Sequence, residues 1–336
     1  MNGVAVITTG GTIGSLLGTD KIAIDPGGEA LQARLKAMAQ ETGVDIRLFP
    51  AANMGSSNFE PEDWIGFVAQ IEACMADGFD RIVLTHGTDT LHFTAAFLAL
   101  LFHDRPVTLC LTGAFYPLGH PDSDADRNVR AALRAAIEPT LQRGVYTAFY
   151  DPDCEGPGVI PATDLVPPRF DEDRFRTLYS GLPEVTHSVA EAHSIFTKIE
   201  WGALSPEVTA DGLRNAKTRI ASALLFPGID MRLYDALPQG GVLLIEGYHS
   251  GTATVREGET GLLALHRRRP DLTIGLISVP SPNVPIPYEE SVTLKQAGIL
   301  VYRDLPLHLL LAAELIGLAQ GKSGREAVAA FDAYLI

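Results

Sequence analysis

The chain has 336 residues, 46% hydrophobic and 20% charged, a balance that excludes a disordered chain and gives length enough for two domains. Its 26 basic against 41 acidic residues give a net charge of -15, which excludes a cationic nucleic-acid groove. Three cysteines, Cys74, Cys110 and Cys154, are too few and uneven for a disulfide framework, and nothing in the sequence reads as a secretory leader or a membrane span, so a cytoplasmic setting is expected.

Val4 to Ile7 is a short apolar run that ends in Thr8-Thr9-Gly10-Gly11-Thr12-Ile13-Gly14-Ser15. It reads as a buried first strand delivering Thr12 to the carboxyl edge of a sheet, the edge where open α/β sheets bind ligands. Residues 16–27 mix glycine, proline and charge as an exposed, mobile loop would. Helical spacing follows over Gly28–Gly43, a strand over Asp45–Phe49, the polar turn Gly55-Ser56-Ser57-Asn58, and a helix over Glu60–Asp77. Arg81–Thr85 is a strand running straight into His86-Gly87-Thr88-Asp89-Thr90 and the helix Leu91–Leu101, a second strand–turn–helix junction built like the first. Pro106–Thr112 is another strand, leading through Gly113-Ala114-Phe115-Tyr116-Pro117 to Ser123-Asp124 and a helix ending at Ile137, and Gly144–Tyr150 closes the series. Such alternation predicts a mostly parallel sheet with right-handed crossovers and helices on both faces.

From Asp151 to Pro168 proline, glycine and acid interrupt the pattern. Strands resume at Arg219–Phe226, Gly241–Ile245 and Leu272–Val279, with helices expected over Thr260–Arg268, Glu289–Ala297, Pro306–Ala319 and Ser323–Leu335. The expected division is an N-terminal α/β domain over 1–190, a linker region over 191–217 and a smaller, also alternating α/β domain over 218–336.

A threonine hydroxyl becomes a nucleophile only when a neighbour takes its proton and preorganised donors receive the oxyanion. Thr12 and Thr88, each beside glycines at a strand end, with Asp89 adjacent to the second, are candidates for that chemistry. The adjacent Gly10 and Gly11 do not fit a dinucleotide-binding glycine pattern. Gly321-Lys322-Ser323 follows a predicted helix, where a phosphate loop requires a strand, and reads as a helix end and turn. The nine histidines show no metal-ligand spacing, and His86 reads as a residue that fixes its turn.

Thr8-Thr9-Gly10-Gly11-Thr12-Ile13-Gly14 and His86-Gly87-Thr88-Asp89-Thr90 together resemble the two signature stretches of bacterial-type L-asparaginases of the cytoplasmic kind. Gly55-Ser56-Ser57-Asn58-Phe59 is similar to the family's substrate-carboxylate turn. Thr112-Gly113 with Ser123-Asp124 and Asn128 is similar to its next sheet-edge loop, with Ala125 where glycine is usual. Gly247-Tyr248-His249-Ser250-Gly251-Thr252 falls where the second domain contributes a loop.

The resemblance implies hydrolysis of a side-chain amide, asparagine to aspartate and ammonia, with Thr12 as nucleophile and Thr88 assisting. It implies Asp89 on the substrate α-ammonium and Ser56 and Ser57 on the α-carboxylate, with Gly11, Gly87 and Thr88 contributing to the pocket. No metal or organic cofactor is implied, nor any nucleic-acid or membrane partner, and a homodimer or homotetramer is expected. Two family residues are missing: residues 15–30 contain no tyrosine, and Asp164 aligns where a lysine belongs. Asp164 and Tyr116 are accordingly further candidates for the site. These departures leave a second reading open, a catalytically degenerate amino-acid-binding or regulatory protein on the same fold.

Overall fold

The structure is a computed structural model that describes residues 3–151, 155–168, 172–177, 207–248, 250–278 and 286–336. The chain divides into two units, Met1–Thr197 and Lys198–Ile336. Most of the linker expected over 191–217 lies outside the described residues, as do Cys154 and His249.

In chain order the first unit contains β1 (Val4–Gly10), β2 (Ser15–Leu17), β3 (Ile22–Ile24), α1 (Glu29–Thr42), β4 (Ile46–Met54), α2 (Trp64–Ala76), β5 (Arg81–Thr85) and α3 (Leu91–Phe102). It continues with β6 (Thr108–Thr112), α4 (Ala125–Ile137), β7 (Gly144–Asp151), β8 (Gly156–Pro161), β9 (Leu165–Val166) and β10 (Arg176–Thr177). Its main sheet has six strands in the order β4-β1-β5-β6-β7-β8, all parallel except β8, which pairs antiparallel with β7. β1 is buried along its whole length because it is covered on both faces, which is why it reads as an unbroken apolar run. Val4, Val6, Val83 and Cys110 face one core with Leu31, Leu35 and Met38 of α1 and Val129 and Leu133 of α4. Alternate residues face the other side, where α2 meets α3 through Trp64 and Phe97, ring centroids 4.9 Å apart.

The expectation of uniformly right-handed crossovers needs one correction. α1 connects β1 to β4, a step toward one edge of the sheet, and α4 connects β6 to β7, a step toward the other, yet both helices lie on the same face. Two such steps on one face have opposite hands. The β5–α3–β6 connection, stepping like α4 but on the opposite face, shares the hand of α1, so α4 makes the left-handed exception to the usual rule. Arg34 of α1 pairs with Asp126 of α4 and fastens the two helices side by side.

Other differences have local causes. The loop expected at 16–27 contains the hairpin β2–β3, closed by the Gly18 amide on the Lys21 carbonyl. Leu16, Leu17 and Ile22 stay exposed and Ile24 is only half-buried, so the segment leaves no period to read. Pro157 and Pro161 hide β8 from a reading of the sequence; they are tolerated because β8 is an edge strand and need not donate on its outer side.

The second unit contains α5 (Ala210–Lys217), β11 (Ile220–Leu224), β12 (Val242–Glu246), α6 (Leu262–Arg268), β13 (Thr273–Ser278), α7 (Glu289–Gln296), β14 (Leu300–Arg303), α8 (Leu307–Ala319) and α9 (Gly324–Ala327). Its sheet is fully parallel, in the order β11-β12-β13-β14. The helix expected over Ser323–Leu335 is instead the short α9, capped by Ser323 and Glu326, followed by a 3-10 turn over Ala329–Tyr334. α8 is buried nearly all round and carries Glu314, 0% exposed, inside its apolar surface. No helix among the described residues is long and apolar enough to cross a membrane.

Candidate active site

β1 and β5 are neighbours, with Thr8 opposite Thr85, so the turns that follow them leave the same edge of the sheet side by side. Gly10 and Gly11 take φ of 92° and 80°, a region open at little strain only to glycine. The second reason for glycine at 11 is space: a Cβ there would lie 2.5 Å from Gly87 N and 2.6 Å from Gly87 Cα. A Cβ on Gly87 would in turn lie 2.5 Å from Ser56 Oγ and 3.3 Å from Gly11 Cα. The turns carrying Thr12 and Thr88 are therefore in backbone contact, and the Ser56 side chain packs on the second of them, although the sequence separates all three widely. Thr9 Oγ1 donates to the Thr85 carbonyl at 2.7 Å and Thr90 Oγ1 to the Ser56 carbonyl at 2.8 Å, lacing the three together.

Thr12 begins a 3-10 turn over Thr12–Gly14 and is half-buried. Thr88 is 8% exposed, its methyl group against Gly113, where a Cβ would lie 3.3 Å from Thr88 Cγ2. Neither threonine hydroxyl has a hydrogen-bond partner among the described residues. The backbone amides of Thr12, Gly87 and Thr88 likewise meet no protein acceptor there. Ser56 Oγ is buried and also unpartnered. Buried polar groups left open are rare in folded proteins, and their concentration at one sheet edge marks a place prepared for a polar ligand. Asp89 and Ser57 are exposed on their turns, and Asp89 has no ion-pair partner among the described residues.

Three residues that the sequence reading gave no role in the site hold these turns. Ser15 Oγ donates to the Gly11 carbonyl at 3.0 Å. Asn128 donates to the Gly113 carbonyl at 3.0 Å and to Asp124 at 2.7 Å, and accepts from the Tyr150 amide at 3.1 Å. Thr90 is the third. A hydroxyl or amide residue within four positions of a glycine turn is the signal that could have found Ser15 and Thr90; the signal for Asn128 was its place in the stretch that resembles the family's next sheet-edge loop.

His86 is fully buried, and desolvation pushes its pKa down to about 4, so its ring is neutral at ordinary pH. His92, also mostly buried, is pushed down to about 4 by desolvation and by His86. Cys74 and Cys110 are buried and free, and burial pushes the Cys110 thiol up to about 12, which makes it inert. The described residues contain no cluster of side chains arranged to hold a metal.

Asp164 is not brought to this edge. β8 runs antiparallel, with Ile160 opposite Thr147 and Pro161 opposite Tyr146, and the Ala162 amide donates to the Val145 carbonyl. Asp164 then closes a reverse turn onto the Pro161 carbonyl at the amino end of the sheet, where Thr163 donates to its carboxylate at 2.7 Å. Val145 stands level with Leu109 and Ile82, three residues or about 10 Å of strand below Thr85. Its place in the alignment therefore assigns it no role beside Thr88. Tyr116 lies on the carboxyl-edge loop, but its hydroxyl donates to Asp173 at 2.9 Å and its ring stacks on His120.

An α/β protein with hydroxyl-bearing turns packed glycine on glycine at the carboxyl edge of a parallel sheet is a narrow class. Residues 3–165, just under half of the chain, match the family described as asparaginase, N-terminal. An L-asparaginase of Thermococcus kodakarensis is 37% identical over 118 residues, 35% of this chain and 35% of that protein. One subunit of the glutamyl-tRNA(Gln) amidotransferase of Methanothermobacter thermautotrophicus is 34% identical over 134 residues, 40% of this chain and 30% of that protein. The matches thus span about a third of each of these relatives. Likeness of fold extends further: the solved Thermococcus kodakarensis L-asparaginase superimposes with a TM-score of 0.74 at 22% identity, over 98% of this chain and 96% of that one. L-asparaginase I of Vibrio cholerae does so with a TM-score of 0.70 at 18% identity, over the whole of both chains.

Proposed function

We propose that the chain is an asparaginase-like amidohydrolase that cleaves the side-chain amide of a small amino acid, L-asparagine or a related ω-amide, through Thr12. The observation that carries this reading is the contact of Gly11 with Gly87, which sets Thr12 and Thr88 at one edge beside three open backbone amides. Thr12 Oγ1 attacks the amide carbon, the amides of Thr12 and Thr88 receive the oxyanion, and ammonia leaves with the proton relayed through Thr88. Water then cleaves the acyl-enzyme and releases the carboxylate product. Asp89 pairs with the α-ammonium, and Ser56 Oγ with Ser57 receives the α-carboxylate, because a zwitterion needs an anion at one end and open donors at the other. The scheme calls for no metal or organic cofactor. Ammonia release from asparagine, glutamine and larger ω-amides tests it, with Thr12→Ala as control; absence of turnover on all of them, or unchanged turnover in the control, refutes it.

A second reading, an amino-acid-binding or regulatory protein, is favoured by one observation: neither threonine hydroxyl is hydrogen-bonded to a general base among the described residues. Calorimetric titration with aspartate beside the ammonia assay separates the two, since tight binding of aspartate by a protein that hydrolyses no ω-amide belongs only to the second. We place the protein in the cytoplasm as a homodimer or homotetramer. Leu224, Phe226 and Leu233, 57–74% exposed on the second unit, support self-association, and light scattering of the purified chain checks it.

A further inference from the structure

His86 is wired to the peptide between Gly87 and Thr88. Its own amide donates to the Thr112 carbonyl at 2.8 Å, which extends the β5–β6 ladder by one residue and fixes the backbone up to position 86. Its Nδ1 lies 2.8 Å from the Gly87 carbonyl oxygen, and its Nε2 lies 3.0 Å from Thr94 Oγ1 in α3. A carbonyl only accepts, so Nδ1 carries the proton; Nε2 is then bare and accepts from the Thr94 hydroxyl. The ring is walled by Phe59, centroids 5.3 Å apart, and edge-on by Phe67 at 6.1 Å. It therefore has one tautomer and one orientation.

A trans peptide points its N–H opposite to its C=O. With the Gly87 carbonyl drawn inward to the buried imidazole, the Thr88 N–H is turned away from the core, where it meets no protein acceptor among the described residues. Glycine at 87 is forced by the contact with Ser56, and a glycine peptide is the one most free to flip. A flip would replace a donor by a carbonyl at the position where negative charge develops. The Gly11–Thr12 peptide carries the same device, its carbonyl held by Ser15 Oγ and by the Gly14 amide, both at 3.0 Å.

We propose that His86 is a positioning residue: its Nδ1–H locks the Gly87–Thr88 peptide so that the Thr88 amide stays aimed at the reacting centre. This rests on the amidohydrolase reading and goes beyond it. The side-chain nitrogen of asparagine reproduces Nδ1, whereas that of glutamine reproduces Nε2, so the two amides separate this role from mere filling of space. His86→Gln and His86→Ala are expected to lower kcat by roughly 10²-fold, the effect of losing one oxyanion donor, with KM changed less than about threefold. His86→Asn should stay within about tenfold of the parent. Thr94→Val leaves the ring in place, frees its tautomer and lowers kcat by a smaller factor, which covers the case in which the His86 variants fold poorly.

Nitrogen chemical shifts of the His86 ring at neutral pH should report a protonated Nδ1. Equal losses for asparagine and glutamine, a rise in KM at constant kcat, or a protonated Nε2 would each overturn the proposal. Failure of the underlying reading looks different: the parent protein itself hydrolyses no ω-amide, or Thr12→Ala leaves turnover intact.

Discussion

The two units of the chain build parallel sheets by the same rules and leave polar groups unsatisfied in opposite places. In the first unit they gather at the carboxyl edge, where the turns leave amides and hydroxyls open at Thr12, Ser56, Gly87 and Thr88 and the strand ends leave the Thr85 and Thr112 hydroxyls open, with Trp64 Nε1 on α2 a further one. In the second they include the carboxyl of Glu314, in the middle of α8, and the hydroxyl of Tyr302 on β14, both in the interior, and Nδ1 of His266 on α6. A donor left open at the mouth of a turn can be completed by a ligand and stabilises charge there. An acid left open on a buried helix has nothing to complete it and is held neutral instead. The first pattern describes a site and the second a pH-dependent weakness of the fold, so substitutions in the two regions should report in different quantities.

The sharpest break of that comparison is Thr12→Ala, which removes one hydroxyl from a half-buried turn. It should leave the melting temperature nearly unchanged while amide hydrolysis falls by roughly 10⁴-fold or more, as when other enzymes lose their nucleophile. A steady-state ammonia assay beside a thermal melt checks both halves. Next in size is Gly87→Ala. The new Cβ must displace Ser56 Oγ, 2.5 Å away, and Ser56 Cβ, 2.8 Å away. Misplacing Thr88 in this way should lower kcat by roughly 10²-fold. Because Ser56 is what the Cβ meets, Gly87→Ala added to Ser56→Gly should cost less than Gly87→Ala alone, a non-additivity that a double-mutant cycle on kcat/KM measures. Asp89→Asn comes third. The Asp89 side chain is exposed and has no ion-pair partner among the described residues, so the loss, about 1.5–3 kcal/mol for a charge-assisted hydrogen bond, should fall on kcat/KM, chiefly through KM for asparagine.

How much of this could be read from the sequence follows from where the information lies. Strands buried on both faces, such as β1, β5 and β6, declare themselves as apolar runs because their surroundings are uniform. The two signature turns are legible for a different reason: glycine beside a hydroxyl at a strand end is common in α/β proteins, and it is their resemblance to a known family's signature stretches that singles them out. What the sequence does not carry is relative position. Nothing in Pro161-Ala162-Thr163-Asp164 says that β8 runs antiparallel and takes Asp164 to the far end of the sheet, and matching residues in line set it beside Thr88. The hand of the α4 crossover is illegible for the same reason, since it depends on which face a helix packs against and not on its own pattern. His86 can be read as a turn-fixing residue, but which nitrogen it uses, and on which peptide, requires the partners Gly87 and Thr94.

The smallest effect belongs to the second unit and sharpens the comparison from the other side. Burial raises the Glu314 carboxyl well above its ordinary value, against a weak opposing pull from Arg219. The sign follows from which state holds the proton more tightly. A carboxyl raised in the folded state keeps its proton there when the unfolded chain has already released it, so its contribution to stability is full below the unfolded value, near pH 4.3, and is lost as pH rises toward the folded one. Glu314→Met keeps the volume and removes the charge. Relative to the parent it should gain about 1–3 kcal/mol near pH 4, the penalty of an unsatisfied buried polar group, and more near pH 8, with a melting-point advantage that widens as pH rises. Amide hydrolysis by the folded protein should not change at either pH. Melts at the two pH values beside the ammonia assay decide it: a variant no more stable at pH 8, or one that loses activity while folded, would remove the distinction between the two regions.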